Sequence, residues 1–275
     1  MSACACAWAW HPVRVQDRYA GDLGDFLKFG LLRRLVTSEG VGLPLRLGVV
    51  WYRTADESHN ADGKHVLYLA PSHLLAQHLR SLDSDLYDRL AEVVESGDRS
   101  IPALERVGVL ASETAYFSEL LDLAGLPIGA REARQECRTA WVERAAARMV
   151  GSDLVFVDPD NGLRSSTHKV PRHRTKAVKH AYLDELLPYA QRQQSIVAYH
   201  HADRSAAVEA QALRRLAEIA EELPLQPVAA VRASRGTTRL FLVSAATAHA
   251  ARLVEALREI ESSAWRDELR LIWAA

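Results

Sequence analysis

Cysteine is scarce in this 275-residue chain: Cys4, Cys6 and Cys137 are the only three. An odd number without paired spacing supports neither a disulfide framework nor a four-ligand zinc site, and it suits a reducing cytoplasm. An excess of one charge is also missing, since 34 Lys and Arg stand against 35 Asp and Glu, a formal net charge of −1. No global field then draws the chain to nucleic acid or to a membrane, and charge-driven binding needs a local patch. No apolar run approaches a membrane span, and the opening MSACACAWAWHP has no basic region of the kind a secretory signal carries. Residues 1–16 read as a flexible leader rather than as a metal site built on Cys4, Cys6 and His11. Internal repeats and low-complexity tracts are absent.

The rest of the chain alternates helical and strand-like segments, the pattern of an α/β fold. DFLKFGLLRRLV (25–36) carries an apolar helical face, and LRLGVVWY (45–52) is a continuous apolar run, as in a strand covered on both sides. Residues from about 72 to 150 read as a helical insertion whose one strand candidate is GVL at 108–110. Beyond Gly151 the expected order is strand 153–158, helix 177–192, strand 195–201, helix 205–222 and strand 226–233. The next strand, 237–245, follows across Ser234-Arg235-Gly236, a link too short for a crossover helix and suited to an antiparallel hairpin. A helix at 246–260 and the apolar ELRLIW (268–273) close the chain. Residues 17–275 are therefore expected to form a single α/β domain: a doubly wound, mostly parallel sheet with a helical insertion and a C-terminal antiparallel hairpin.

Ligands of open parallel sheets bind at the carboxyl ends of the strands, where loops and helix N-termini converge. Three polar clusters fall at such ends. The first, RTADESHNADGKH (53–65), crowds Asp56, Glu57, His59, Asn60, Asp62, Lys64 and His65 together. In the second, DPDNGL (158–163), Pro159 cannot extend a ladder and Gly162 permits an unusual backbone angle, so Asp158, Asp160 and Asn161 are presented at the strand's end. The third, YHHADR (199–204), offers Tyr199, His200, His201 and Asp203, and the two histidines point to opposite sides of a continuing strand. Between them, residues 164–180 carry six Lys or Arg and three His without an acid. Arg172 and Arg174 in this loop are the candidates for gripping phosphate groups of a nucleic acid or nucleotide.

The order of these parts resembles class I S-adenosylmethionine-dependent methyltransferases, and more narrowly those that methylate an adenine amino group in ribosomal RNA. Tyr19, Gly21, Asp22, Gly24, Asp25 and Lys28 in DRYAGDLGDFLKFG look like that family's N-terminal segment. Asp158-Pro159-Asp160-Asn161 stands where its Asp-Pro-Pro-Tyr motif would be. The resemblance implies a Rossmann-like methyltransferase fold with S-adenosylmethionine held by Tyr19, Gly21, Asp22, Asp25, Lys28, Trp51, Asn60 and Asp62. It also implies that Asp158, Asp160, Asn161 and His200 act on an amino group of a nucleobase, nucleotide or small molecule, with Arg172, Arg174 and Tyr199 on the substrate. Two positions differ from the family's pattern. The first glycine after strand 45–52 is Gly63, and the fourth motif residue is Asn161 instead of an aromatic. A different chemistry fits the same polar clusters: a hydrolase or nuclease binding Mg or Mn through Asp158, Asp160, His200 or His201, and Asp56 or Asp62. A third reading is a nucleic-acid-binding protein without catalysis. No membrane partner is expected.

Overall fold

The computed structural model describes residues 19–37, 43–54, 65–168 and 171–274. Its centre is a seven-stranded sheet built from β1 (Leu47–Trp51), β2 (Ala115–Phe117), β3 (Leu154–Asp158), β6 (Ser195–His201), β7 (Gln226–Ala233), β8 (Arg239–Ala245) and β9 (Leu269–Trp273). Two short strands, β4 (Gly162–Arg164) and β5 (His180–Tyr182), pair parallel to one another beside it. The sheet order is β2-β1-β3-β6-β8-β7-β9. The pairings from β2 through β6 are parallel, while β8 runs antiparallel to both β6 and β7, and β9 antiparallel to β7. Most strands therefore share one direction, and the carboxyl ends of β1, β3 and β6 lie side by side.

Successive strand residues point to opposite faces, and both faces here are apolar. Val49, Trp51, Leu154, Phe156, Val197, Val231, Phe241 and Val243 join one core. Over it pack α1 (Leu23–Thr37), α2 (Ala76–Leu82), α3 (Ser84–Glu95), α4 (Ile101–Val107) and α8 (Ala250–Ser262). Val50, Val155, Val157, Ile196, Ala198, Ala230, Leu240 and Leu242 belong to a second core under α5 (Arg131–Arg148), α6 (Leu187–Gln191) and α7 (Val208–Glu222). The helical stretch after β1 is thus divided between the layers, with α2 to α4 on the α1 side and α5 opposite. No helix among the described residues is long and apolar enough to cross a membrane.

Two local expectations differ from what forms. GVL at 108–110 is not a strand: Gly108 caps α4 in the left-handed conformation at φ 69°, and the edge strand is β2 a few residues later. The segment 177–192 is not one helix but a 3₁₀ turn at Thr175–Lys179, β5, a second 3₁₀ turn at Leu183–Leu186 and the short α6. Arg138 supplies the reason. Its buried guanidinium donates to the carbonyls of Ala177 and His180 and to both carboxylate oxygens of Glu185, which keeps those carbonyls out of a helical ladder. Burial acts to lower the Arg138 pKa, but the charge and hydrogen bonds of Glu185 outweigh it and the net shift is upward.

Removing one partner of such a pair strands a buried charge. Arg138→Ala is expected to lower the free energy of unfolding by about 3–5 kcal/mol, read as a drop in the urea midpoint. The double replacement Arg138→Met with Glu185→Leu is expected to recover most of that loss. A single-variant loss below ~1 kcal/mol, the range of an exposed pair, would contradict this role.

Candidate functional site

The carboxyl end of β3 meets the N-terminal turns of α1. Asp158 is the last residue of β3 and lies across the ladder from Trp51, the last residue of β1. The approach to α1 is a tight turn in which the Asp22 amide donates to the Tyr19 carbonyl. Gly21 takes φ 81° there, and a Cβ at this position would lie 2.7 Å from Val94. The Asp22 carboxylate accepts from the Asp25 amide at 2.9 Å, and the Asp25 carboxylate accepts from the Gly21 amide at 3.0 Å. Carboxylates at a helix start are favoured by the free N–H groups and by the helix dipole.

One turn further along α1, Lys28 reaches the strand end. Its Nζ lies 2.8 Å from Asp25 Oδ1 and 2.9 Å from Asp158 Oδ2. The ammonium also sits over the rings of Trp51 and Phe29, 4.9 and 5.2 Å from their centroids. Asp158 Oδ1 makes no hydrogen bond to any described residue. Arg239, the first residue of β8, enters from the other side with Nη2 at 3.7 Å from Asp22 Oδ2. Its guanidinium lies where a Cβ on Gly24 would come within 2.5 Å of it, so Gly24 admits it.

Burial and mutual charge set the protonation of this group. For Lys28, burial alone would favour the neutral amine, but Asp158 and Asp25 outweigh it and the pKa rises. Lys28 therefore stays an ammonium. The Asp158 pKa is raised by burial first; the Lys28 charge and hydrogen bond oppose this, and Asp25 and Asp160 add to it. Asp22 is raised by burial and then by the charge of Asp25, with Arg239 pulling the other way. Tyr199 is raised by burial, with Arg239 opposing and Asp158 adding, and stays a neutral phenol. Asp22, Asp25 and Asp158 together outnumber Lys28 and Arg239 by one charge, which favours a ligand bearing a cation or hydrogen-bond donors.

The other expected residues divide around this centre. Asp160 pairs with Lys179 at 3.2 Å, and the Asn161 amide donates to the Lys179 carbonyl while its side chain is exposed. Trp51 is 4% exposed and donates to Glu105, so it is a wall beneath Lys28 and not a surface for stacking. His200, expected beside Asp158, lies instead on the opposite face of the sheet. Tyr199 faces the α1 core, so the next residue must face away. There His200 Nδ1 accepts from the Leu163 amide at 3.2 Å against Gly162, whose φ of 98° allows the contact. Burial, with Arg215 and Arg164 nearby, holds the His200 pKa at about 3, which makes it a neutral structural acceptor. His201 shares the Tyr199 side and lies 3.5 Å from its hydroxyl.

The basic loop is partly consumed by the fold. Arg172 pairs with Asp184 at 2.7 Å and stacks over Tyr182, whereas Arg174 is exposed. After β1, where the family resemblance would want a glycine turn, the described chain runs through Tyr52 to Thr54, and the Arg53 amide donates to the Trp51 carbonyl at 2.8 Å. Arg53 bridges to Leu120 and donates to the Ser118 carbonyl, and Tyr52 packs on Trp141. Asp56, Asn60 and Asp62 lie outside the described residues. Arg239 is the member that sequence reasoning missed. The available signal was its position as the first strand residue after the Ser234-Arg235-Gly236 link, which pairs it with His201.

Lys28→Met leaves Asp25 and Asp158 buried without their common cation and is expected to cost about 3–5 kcal/mol at pH 8. Because the folded-state pKa of Asp158 is already above its unfolded value, the folded chain takes up a proton more readily, and losing Lys28 raises that pKa further. The deficit should therefore shrink as the pH falls from 8 towards 5, measured by urea unfolding at both pH values. A deficit that grows on acidification would overturn the electrostatic account.

No protein-family model matches the sequence, and no curated protein matches it either.

Proposed function

We propose that this protein is an S-adenosylmethionine-dependent methyltransferase-like enzyme that acts on an amino group of a nucleobase, nucleotide or small molecule in the cytoplasm. The proposed architecture is a doubly wound Rossmann-like sheet with β7–β8 as its C-terminal antiparallel hairpin and β9 at the edge beyond it. The observation that carries the reading is Asp158: a largely buried carboxylate at the end of a central parallel strand, held through Oδ2 by Lys28, with Oδ1 accepting no hydrogen bond from the described residues.

An amino group conjugated to a ring is a weak nucleophile because its lone pair is delocalised. A substrate N–H donated to Asp158 Oδ1 draws the nitrogen towards tetrahedral geometry and turns the lone pair outward. The raised pKa of Asp158 suits it to take up the proton that the nitrogen must release. Lys28 orients the carboxylate, so the arrangement relies on alignment more than on a strong base. S-adenosylmethionine, when bound, supplies the methyl group. The surplus of carboxylate over cation around Asp22 and Asp25 suits its ammonium and sulfonium charges, and these residues with Gly21 and Tyr19 would hold it. The first glycine after Trp51 in the sequence is Gly63, so the proposed cofactor contacts rest on the α1 segment.

A divalent-metal hydrolase is the competing chemistry. It is less well supported, because Lys28 already bridges Asp25 and Asp158, Lys179 neutralises Asp160, and His200 faces away. Calorimetric titration with S-adenosylmethionine and with its demethylated product, each with and without EDTA, separates the two. Binding with a Kd on the order of micromolar that is insensitive to EDTA is expected. No cofactor binding, together with stabilisation by Mg or Mn, would transfer the assignment to the hydrolase. In addition, Asp158→Ala should reduce transfer of labelled methyl to total RNA or free nucleotides by about 10²-fold or more at a temperature where circular dichroism shows the variant still folded, since loss of the Lys28 partner lowers its melting temperature. Retained transfer would remove Asp158 from the chemistry.

A further inference from the structure

The side of the sheet opposite Lys28 carries a second polar centre. Arg164 of β4, Ser165, Thr167 and His168 after it, Asp203 and Ser205 after β6, and Arg214, Arg215 and Glu218 of α7 line a cleft of about 540 Å³. Its charge is unevenly settled. Arg215 pairs with Glu218, yet its Nε is buried with no hydrogen-bond partner. Asp203 is occupied by its own turn, accepting from the Ser205 amide at 2.8 Å. The Arg164 and Arg214 side chains make no hydrogen bond or salt bridge to any described residue, although the charge of Arg214 adds to the Ser205 hydrogen bonds in lowering the Asp203 pKa. Three guanidinium groups thus face two carboxylates, both already engaged, and a buried donor atom is left unused. An orphaned buried donor is costly unless something accepts from it.

The histidines around the cleft register the same surplus. His168 lies below its ordinary pKa through burial and then through Arg164 and Arg215. His180 is lowered to about 4 by burial and Arg164. Burial is the larger cause at each, Arg164 adds to it at both, and Glu218 opposes it in part at His168.

We propose that this cleft binds a phosphate group, carried either by a mononucleotide or by the backbone of a single-stranded nucleic acid. Guanidinium forks match phosphate oxygens in charge and geometry, and Arg164, Arg214 and Arg215 supply them from two elements. The cleft differs from the earlier expectation for Arg172 and Arg174, since Arg172 is tied to Asp184. It stands independently of methyl transfer, because it uses none of the groups around Asp158.

The test is direct binding to the full chain at about 50 mM salt, where phosphate contacts are least screened. The probes are inorganic phosphate, AMP, and a fluorescein-labelled single-stranded RNA read by anisotropy. The variant Arg164→Glu with Arg214→Glu is compared with Arg131→Glu and Arg258→Glu, which change the net charge equally elsewhere. Arg164→Gln with Arg214→Gln serves if the reversal lowers the melting temperature. Wild-type binding of at least one probe is expected, weakened about tenfold or more by the cleft variant and little by the control. Binding of AMP or phosphate identifies a nucleotide site; binding of RNA alone identifies a strand backbone. No binding of any probe, or equal loss in cleft and control variants, would overturn the proposal. S-adenosylmethionine titration of the same variants keeps this outcome separate from that of the methyltransferase reading.

Discussion

A lysine ammonium buried between two carboxylates ties the first helix to the central strand. Lys28 joins Asp25 on its own helix to Asp158, a residue 130 positions away in sequence. An uncompensated charge at that depth would be too costly to keep, so the helix, the strand end and the turn around Gly21 must hold one geometry together. That constraint orients Asp158, leaves one of its oxygens without a hydrogen bond from the described residues, and fixes how closely α1 approaches the sheet. The ammonium sits over the rings of Trp51 and Phe29, and the Lys28 and Asp158 side chains stay only 12% and 16% exposed.

The sheet then divides the chemistry into two compartments. Residues of the β3 and β6 ends that face α1, chiefly Asp158 and Tyr199, share one environment of surplus carboxylate. Residues facing α7, with His200 pressed on Gly162 and Arg164 beside the cleft, share another of surplus guanidinium. The two centres lie on opposite faces of the sheet, so the phosphate proposal and the amino-group proposal rest on different residues.

Much of this frame was legible from local pattern. Alternating periodicity announced an α/β chain, and the apolar run DLVFV ending in DPDNG marked Asp158 as a polar group at the end of a buried strand. The short link after Ala233 implied an antiparallel neighbour, and β7 does pair antiparallel with β8. The errors occurred where tertiary contacts override local preference. The stretch 177–192 reads as a helix until Arg138 claims its carbonyls, and GVL reads as a strand until Gly108 turns left-handed.

Sequence by itself determined which residues could be buried and which polar groups would emerge at strand ends, because hydrophobic period and turn chemistry act over a few neighbouring residues. Only the tertiary structure decided their partners. Lys28 meets Asp158, Arg239 meets Asp22, and His200 turns from Asp158 towards Leu163. Those outcomes depend on strand order and on the alternation of side chains across the sheet. Both are set by how distant segments pair, and no short stretch of sequence encodes them.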